Sequence, residues 1–176
     1  MERRIVIKQI LIMAGGLALL PSCLKEAGKS TILLKNINID LDQENLLGEI
    51  AETIIPRTDT PGAKELNLHL YVLKMLDDCY SDLEQKQFVN GIEQLKDFVH
   101  HKHAKSFNKL SITQRQNILL DLEKSKTLSP ELFAFYTIIK QRTIKGYLNS
   151  KYVMTSLIKY ELVPGRYNGY FPVKSA

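Results

Sequence analysis

The chain has 176 residues and a mass of 20.1 kDa, the size of one ordinary domain. Its 44% hydrophobic and 24% charged content excludes wholesale disorder and collagen-like repeats, and two Cys exclude a disulfide scaffold or a multi-Cys metal site. The formal charge of +5 would suggest nucleic acid only if the basic residues lay in the folded domain, and several do not.

Those residues open the chain. Arg3, Arg4 and Lys8 form a basic stretch, followed by an apolar run from Ile10 to Leu20 that is broken only by Gly15-Gly16. A run of that length is too short to span about 30 Å of hydrocarbon, which takes roughly 20 residues, so residues 1–22 read as a cleaved signal segment. It closes on Leu20-Pro21-Ser22-Cys23, which looks like a lipobox with Cys23 as the lipid-attachment residue; a plain secretory signal with an incidental Cys is the alternative. Arg3 and Arg4, followed by Ile5-Val6-Ile7-Lys8, resemble the twin-arginine export motif, although any export signal needs positive charge there. Both routes stay open. Removing residues 1–22 takes Lys+Arg from 24 to 21 and Asp+Glu from 19 to 18, leaving +3 on the mature chain. That is an ordinary solvated surface, and no nucleic-acid partner is expected.

Residues 23–39 begin polar and read as a tether, with a helical domain over 40–176. Leu47, Ile50, Ala51, Ile54 and Ile55 share one helical face until Pro56 stops the run. The stretch Arg57 to Ala63 is rich in turn formers. His69, Val72, Leu73, Leu76, Cys79 and Tyr80 make a second stripe, which places the Cys79 thiol inside. Ser81 with Glu84 fits a capping box before Phe88, Ile92, Leu95 and Val99. Ser111 with Gln114 repeats that pattern before Ile118, Leu119 and Leu122. Ser129-Pro130 opens a stripe through Phe133, Tyr136, Ile139, Ile144 and Tyr147, and a short helix is expected over 153–160. No segment alternates with the period of a strand. The expectation is an all-α bundle of five or six helices with an irregular C-terminal tail.

The chemistry is sparse. The nine glycines make neither G-x-G-x-x-G nor a P-loop, and neither C-x-x-C-H nor H-E-x-x-H occurs. His100, His101 and His103 could bring two imidazoles to one face, but their setting at a helix C-terminus reads as a solvated end suited to the helix dipole. No catalytic, cofactor-binding or metal-binding residue is assigned.

Two motifs carry a resemblance. Ile54-Ile55-Pro56-Arg57-Thr58-Asp59-Thr60-Pro61-Gly62-Ala63, with its continuation to Met75–Tyr80, is similar to the opening signature of the gluconate 2-dehydrogenase subunit 3 family. So are Thr143–Ser150 and the run Tyr160-Glu161-Leu162-Val163-Pro164-Gly165-Arg166-Tyr167-Asn168-Gly169, and the likeness extends over about residues 44–172. Tyr170 stands where many relatives carry Cys, so no disulfide is inferred there. The resemblance implies a small, non-catalytic subunit of an envelope sugar or polyol dehydrogenase. Its large partner would be a flavoprotein of the glucose–methanol–choline type, with FAD in that partner, none in this chain, and in some relatives a cytochrome c subunit beyond it. Such a subunit would assist folding, export or membrane attachment of its partner.

The residues themselves give the motifs a rationale. Thr58, Asp59, Thr60, Pro61 and Gly62 suit a loop held by Asx-type bonds. Pro164-Gly165 makes a turn that aims Arg166 and Tyr167, residue types enriched at interface hot spots. Arg57, Asp59, Pro61, Pro164, Gly165, Arg166 and Tyr167 are therefore the candidate partner contacts. A free-standing lipoprotein acting as an interaction module is the alternative reading.

Overall fold

The computed structural model describes residues 28–125, 128–158, 160, 161, 163, 165 and 168–170. They form five α-helices: α1 (Leu41–Ile54), α2 (Leu68–Cys79), α3 (Asp82–His103), α4 (Ile112–Lys124) and α5 (Pro130–Leu148). A 3-10 turn (Phe107–Lys109) joins α3 to α4, and a π-helical turn (Val153–Leu157) stands where a short helix was expected. No strand occurs among the described residues, so the all-α expectation holds.

Local signals set the helix starts. Ser81 with Glu84 and Ser111 with Gln114 form the expected capping boxes, and the Ser129 hydroxyl accepts from Leu132 N with Pro130 just inside the helix. Asp40 with Gln43 adds a capping box on α1 that the sequence reading did not identify. The main interface packs α3 against α5, with Phe88 and Phe135 at 4.9 Å between ring centroids. Around them lie Leu47, Ile50, Leu73, Leu76, Ile92, Leu95, Ile118, Leu122 and Ile139, all buried. A side chain at Gly91 would put its Cβ 2.4 Å from the Phe135 Cβ and 2.6 Å from the Glu131 carbonyl oxygen, so glycine is what lets α3 and α5 approach this closely.

Three expectations need correction. Residues 28–39, the described part of the expected tether, lie on the bundle as a strap. Ile37 and Ile39 are buried, and two carboxylates hold the backbone above them. The Asp77 carboxylate accepts from Lys35 N at 2.9 Å, Asn36 N at 2.7 Å and Ile37 N at 3.1 Å, while Glu44 accepts from Thr31 N and Oγ1, both at 2.6 Å. Secondly, Cys79 is exposed, because α2 turns Asp77 inward to meet the strap. Thirdly, α5 buries Leu132, Phe135, Tyr136, Ile138, Ile139, Thr143 and Gly146, leaving Phe133 and Ile144 on its outer side. An apolar residue on both faces made the stripe ambiguous.

Candidate functional site

The first motif forms the loop at the C-terminal end of α1. Pro56 cannot extend the helix, and Ile55 N closes the last turn on Ala51 O at 2.9 Å. The loop then returns on itself: Ala63 N donates to Ile55 O at 2.9 Å, and Thr58 N donates to Thr60 O at 3.1 Å. Its organising carboxylate is Glu52, which accepts from Arg57 N at 3.0 Å and Lys64 N at 2.8 Å. Gly62 lies beneath that carboxylate, where a Cβ would sit 2.4 Å from Glu52 Oε1 and 2.7 Å from Arg57 N. Glycine is required there by space. The Asx-type bonding expected of Asp59 is thus replaced by a helix glutamate bonding the backbone on both sides of the loop.

The second motif meets the first. Tyr147 on α5 donates its hydroxyl to Thr60 Oγ1 at 3.2 Å, and its ring packs with Ile55 and Leu66 on a small buried cluster of Ala51, Ala63 and Leu68. Beside it, Gly146 admits the Tyr71 ring, which would lie 2.8 Å from a Cβ at that position. Residues far apart in the chain therefore build one end of the bundle.

On this scaffold Arg57 and Asp59 are exposed and Pro61 is half-buried. Arg57 pairs with Glu65 at 3.6 Å, a solvated contact worth at most about 1 kcal/mol that leaves the guanidinium available. Gly165 is exposed, with open space where a Cβ would stand. Pro164, Arg166, Tyr167, Cys23, Arg3 and Arg4 lie outside the described residues. The loop is tied to the rest of the molecule through Glu49, which accepts from Lys64 Nζ and Arg115 Nη1, both at 2.5 Å. Burial pushes the Glu49 carboxyl up, but Lys64 and Arg115 outweigh it and hold it below the usual carboxylate range.

The histidines stand elsewhere. His100 and His101 are exposed and His103 is half-buried at the end of α3, where Ala104 N closes the helix on His100 O. Among the described residues no group of three or more His, Cys, Asp or Glu is arranged to hold a metal ion. His69 packs its ring over Gly48 with Nδ1 unpartnered, and burial holds it below the usual imidazole range. No helix of the described residues is long and apolar enough to cross a membrane.

Glu52→Ala should leave the amides of Arg57 and Lys64 without their acceptor. Hydrogen exchange at those two amides should then rise tenfold or more, while the melting temperature falls by only a few degrees. Unchanged protection would mean that the backbone turns alone hold the loop.

Comparison with curated proteins and with solved structures finds no match. A family model described as gluconate 2-dehydrogenase subunit 3 matches residues 41–165, from the first residue of α1 to Gly165, leaving Arg166 and Tyr167 outside the match. The match takes in all five helices and the two motifs that meet at Tyr147 and Thr60, and it spans well over half of the chain. The chain belongs to the gluconate 2-dehydrogenase subunit 3 family, which makes it an accessory subunit of a dehydrogenase complex.

Proposed function

We propose that this chain is the non-catalytic small subunit of an envelope dehydrogenase whose large subunit is a glucose–methanol–choline-type flavoprotein carrying FAD and oxidising a sugar, sugar acid or polyol. A cytochrome c subunit would pass electrons onward in complexes that have one. Export is directed by residues 1–22, with Arg3 and Arg4 as the paired guanidinium groups of a folded-cargo signal, and Cys23 takes the lipid that holds the complex to the membrane. The partner docks on the loop end through Arg57, Asp59 and Pro61, joined by the tail residues Pro164, Gly165, Arg166 and Tyr167. One observation carries the reading. Glu52, Gly62 and Tyr147 fix the family's loop rigidly, yet Arg57 and Asp59 on it are left to solvent. A loop ordered in advance loses little entropy on binding, which favours affinity for a partner.

Affinity capture of the full chain from its own membranes, read by flavin absorbance and by FAD released on denaturation, tests this. Wild type should recover a flavoprotein in near-stoichiometric amount. Arg57→Ala with Asp59→Ala should lower that recovery about tenfold, the size expected when interface contacts worth more than 1 kcal/mol are lost. A change at the exposed Lys109 should leave it intact. Wild type recovering no flavoprotein would favour a free-standing lipoprotein instead.

A further inference from the structure

We infer that the strap at residues 28–39 is the end of the molecule apposed to the lipid surface, and that the 55–67 loop end is held away from the bilayer. The inference rests on the lipid attachment at Cys23 proposed above and adds an orientation to it.

Chain length sets the first limit. The strap is already bonded to the bundle at Gly28, whose carbonyl accepts from Leu41 N at 3.0 Å, and Ser30 N donates to Ile39 O at 3.2 Å. Asp77 and Glu44 then hold it further along. Five residue steps separate Cys23 from Gly28, so the chain between them reaches at most about 18 Å when fully extended.

Helix geometry sets the second. Gly28 sits beside the start of α1, whereas the loop leaves the other end of that helix. With 14 residues, α1 is about 21 Å long. With α1 upright and the loop end on the bilayer, Gly28 would stand about 21 Å above it, beyond the reach of about 18 Å of the connecting chain. The opposite orientation needs no such extension.

The strap also offers a surface for lipid to cover. Ile32 and Leu34 pack toward the core, while Leu33 between them is 83% exposed. Leu41, at the start of α1, is 38% exposed on the same end. Lys29, Lys35 and Lys74 there are outnumbered by Asp40, Asp42, Glu44, Asp77 and Asp78, so charge does not draw this end to an anionic surface, and contact with a neutral bilayer does not depend on it. The anchor's reach and a single apolar tip suffice. A large subunit docked on the loop end would then sit on the far side of this subunit from the membrane.

The mature acylated protein, beginning at Cys23, on phosphatidylcholine vesicles tests this, in a Cys79→Ser background that removes the exposed native thiol. A polarity-sensitive dye is placed by Leu33→Cys or by Asp59→Cys, and lipids with a headgroup-level spin label serve as quencher. Quenching should be several-fold stronger at residue 33 than at residue 59, and unchanged by added salt. Equal quenching at the two positions, or stronger quenching at 59, on protein whose intact mass shows the acyl chains would overturn the orientation alone. An intact mass without acyl chains on Cys23 would overturn the attachment, and the orientation with it.

Discussion

Replacing Asp77 by Ala should lower the unfolding free energy by about 3 to 5 kcal/mol and release the strap from the bundle. The carboxylate is wholly shielded from solvent and accepts from three successive backbone amides, those of Lys35, Asn36 and Ile37. Each charge-assisted bond is worth about 1.5 to 3 kcal/mol, though the three share one group and do not add fully. Ile37 and Ile39 come out of the core if the strap leaves, which adds a further apolar loss. Burial pushes the Asp77 carboxyl up, but the three amides, helped by Lys74, outweigh it and hold it below the usual range. Its folded pKa thus lies below its unfolded value near 4, so its stabilisation is complete above that pH. It is lost as the pH falls through the lowered folded value. Asp77→Asn keeps one acceptor and should fall between wild type and Ala, and it removes the part of the acid dependence that Asp77 supplies. Denaturant titration gives the energy, and hydrogen exchange at the amides of residues 35–37 reports the release. Wild-type protection of those amides in the Ala variant would show that Ile37 and Ile39, with the Glu44 and backbone bonds, hold the strap without Asp77.

Asp77 also shows where sequence patterning stops. The caps at Ser81, Ser111 and Ser129 were legible because both partners lie within three residues, and the α3 stripe was legible because Phe88, Ile92, Leu95 and Val99 recur at helical spacing, although Gln85 is buried on the same face. An aspartate turned into the core has no such local sign. Its partners lie about forty residues upstream, in a stretch without helical period, so that stretch read as a tether and Cys79 took the inward position in its place. On α5 the expected stripe shares Tyr136 and Ile139 with the buried face but runs on through Phe133 and Ile144, and only packing against α3 selects Leu132 and Phe135 in their place.

The candidate site divides in the same way. The 54–63 and 143–150 segments could be identified as family-like, and Tyr147 could be placed on a helix. Nothing local indicated that Tyr147 would bond Thr60, a contact made across three intervening helices of sequence. Glu52 could not be singled out, since the partners of its carboxylate are backbone amides that carry no sequence signature. Gly62 was recognisable as a turn former, but the reason for it is the space taken by Glu52.

Glycine in a helix is normally a weakness, and at Gly91 the expected result of repairing it is a loss. In an open helix interior Gly→Ala gains about 1 kcal/mol from backbone entropy. Gly91→Ala should instead destabilise by about 2 to 3 kcal/mol net, because the new Cβ would stand 2.4 Å from the Phe135 Cβ and 2.6 Å from the Glu131 carbonyl. Neither atom is the end of a flexible side chain, so α5 would have to move away from α3 along the largest interface of the bundle. That shift would also open the Phe88–Phe135 contact, now at 4.9 Å between centroids. Gly48, likewise buried within a helix, supplies the control. The nearest atoms to a Cβ there belong to the His69 ring, at 3.7 Å, which is ordinary van der Waals contact. Gly48→Ala should therefore raise stability by up to about 1 kcal/mol. Denaturation midpoints of the two variants should move in opposite directions from wild type with unchanged slopes. A stabilised Gly91→Ala would mean that α3 and α5 slide past one another cheaply, and that their close approach is not what fixes the bundle.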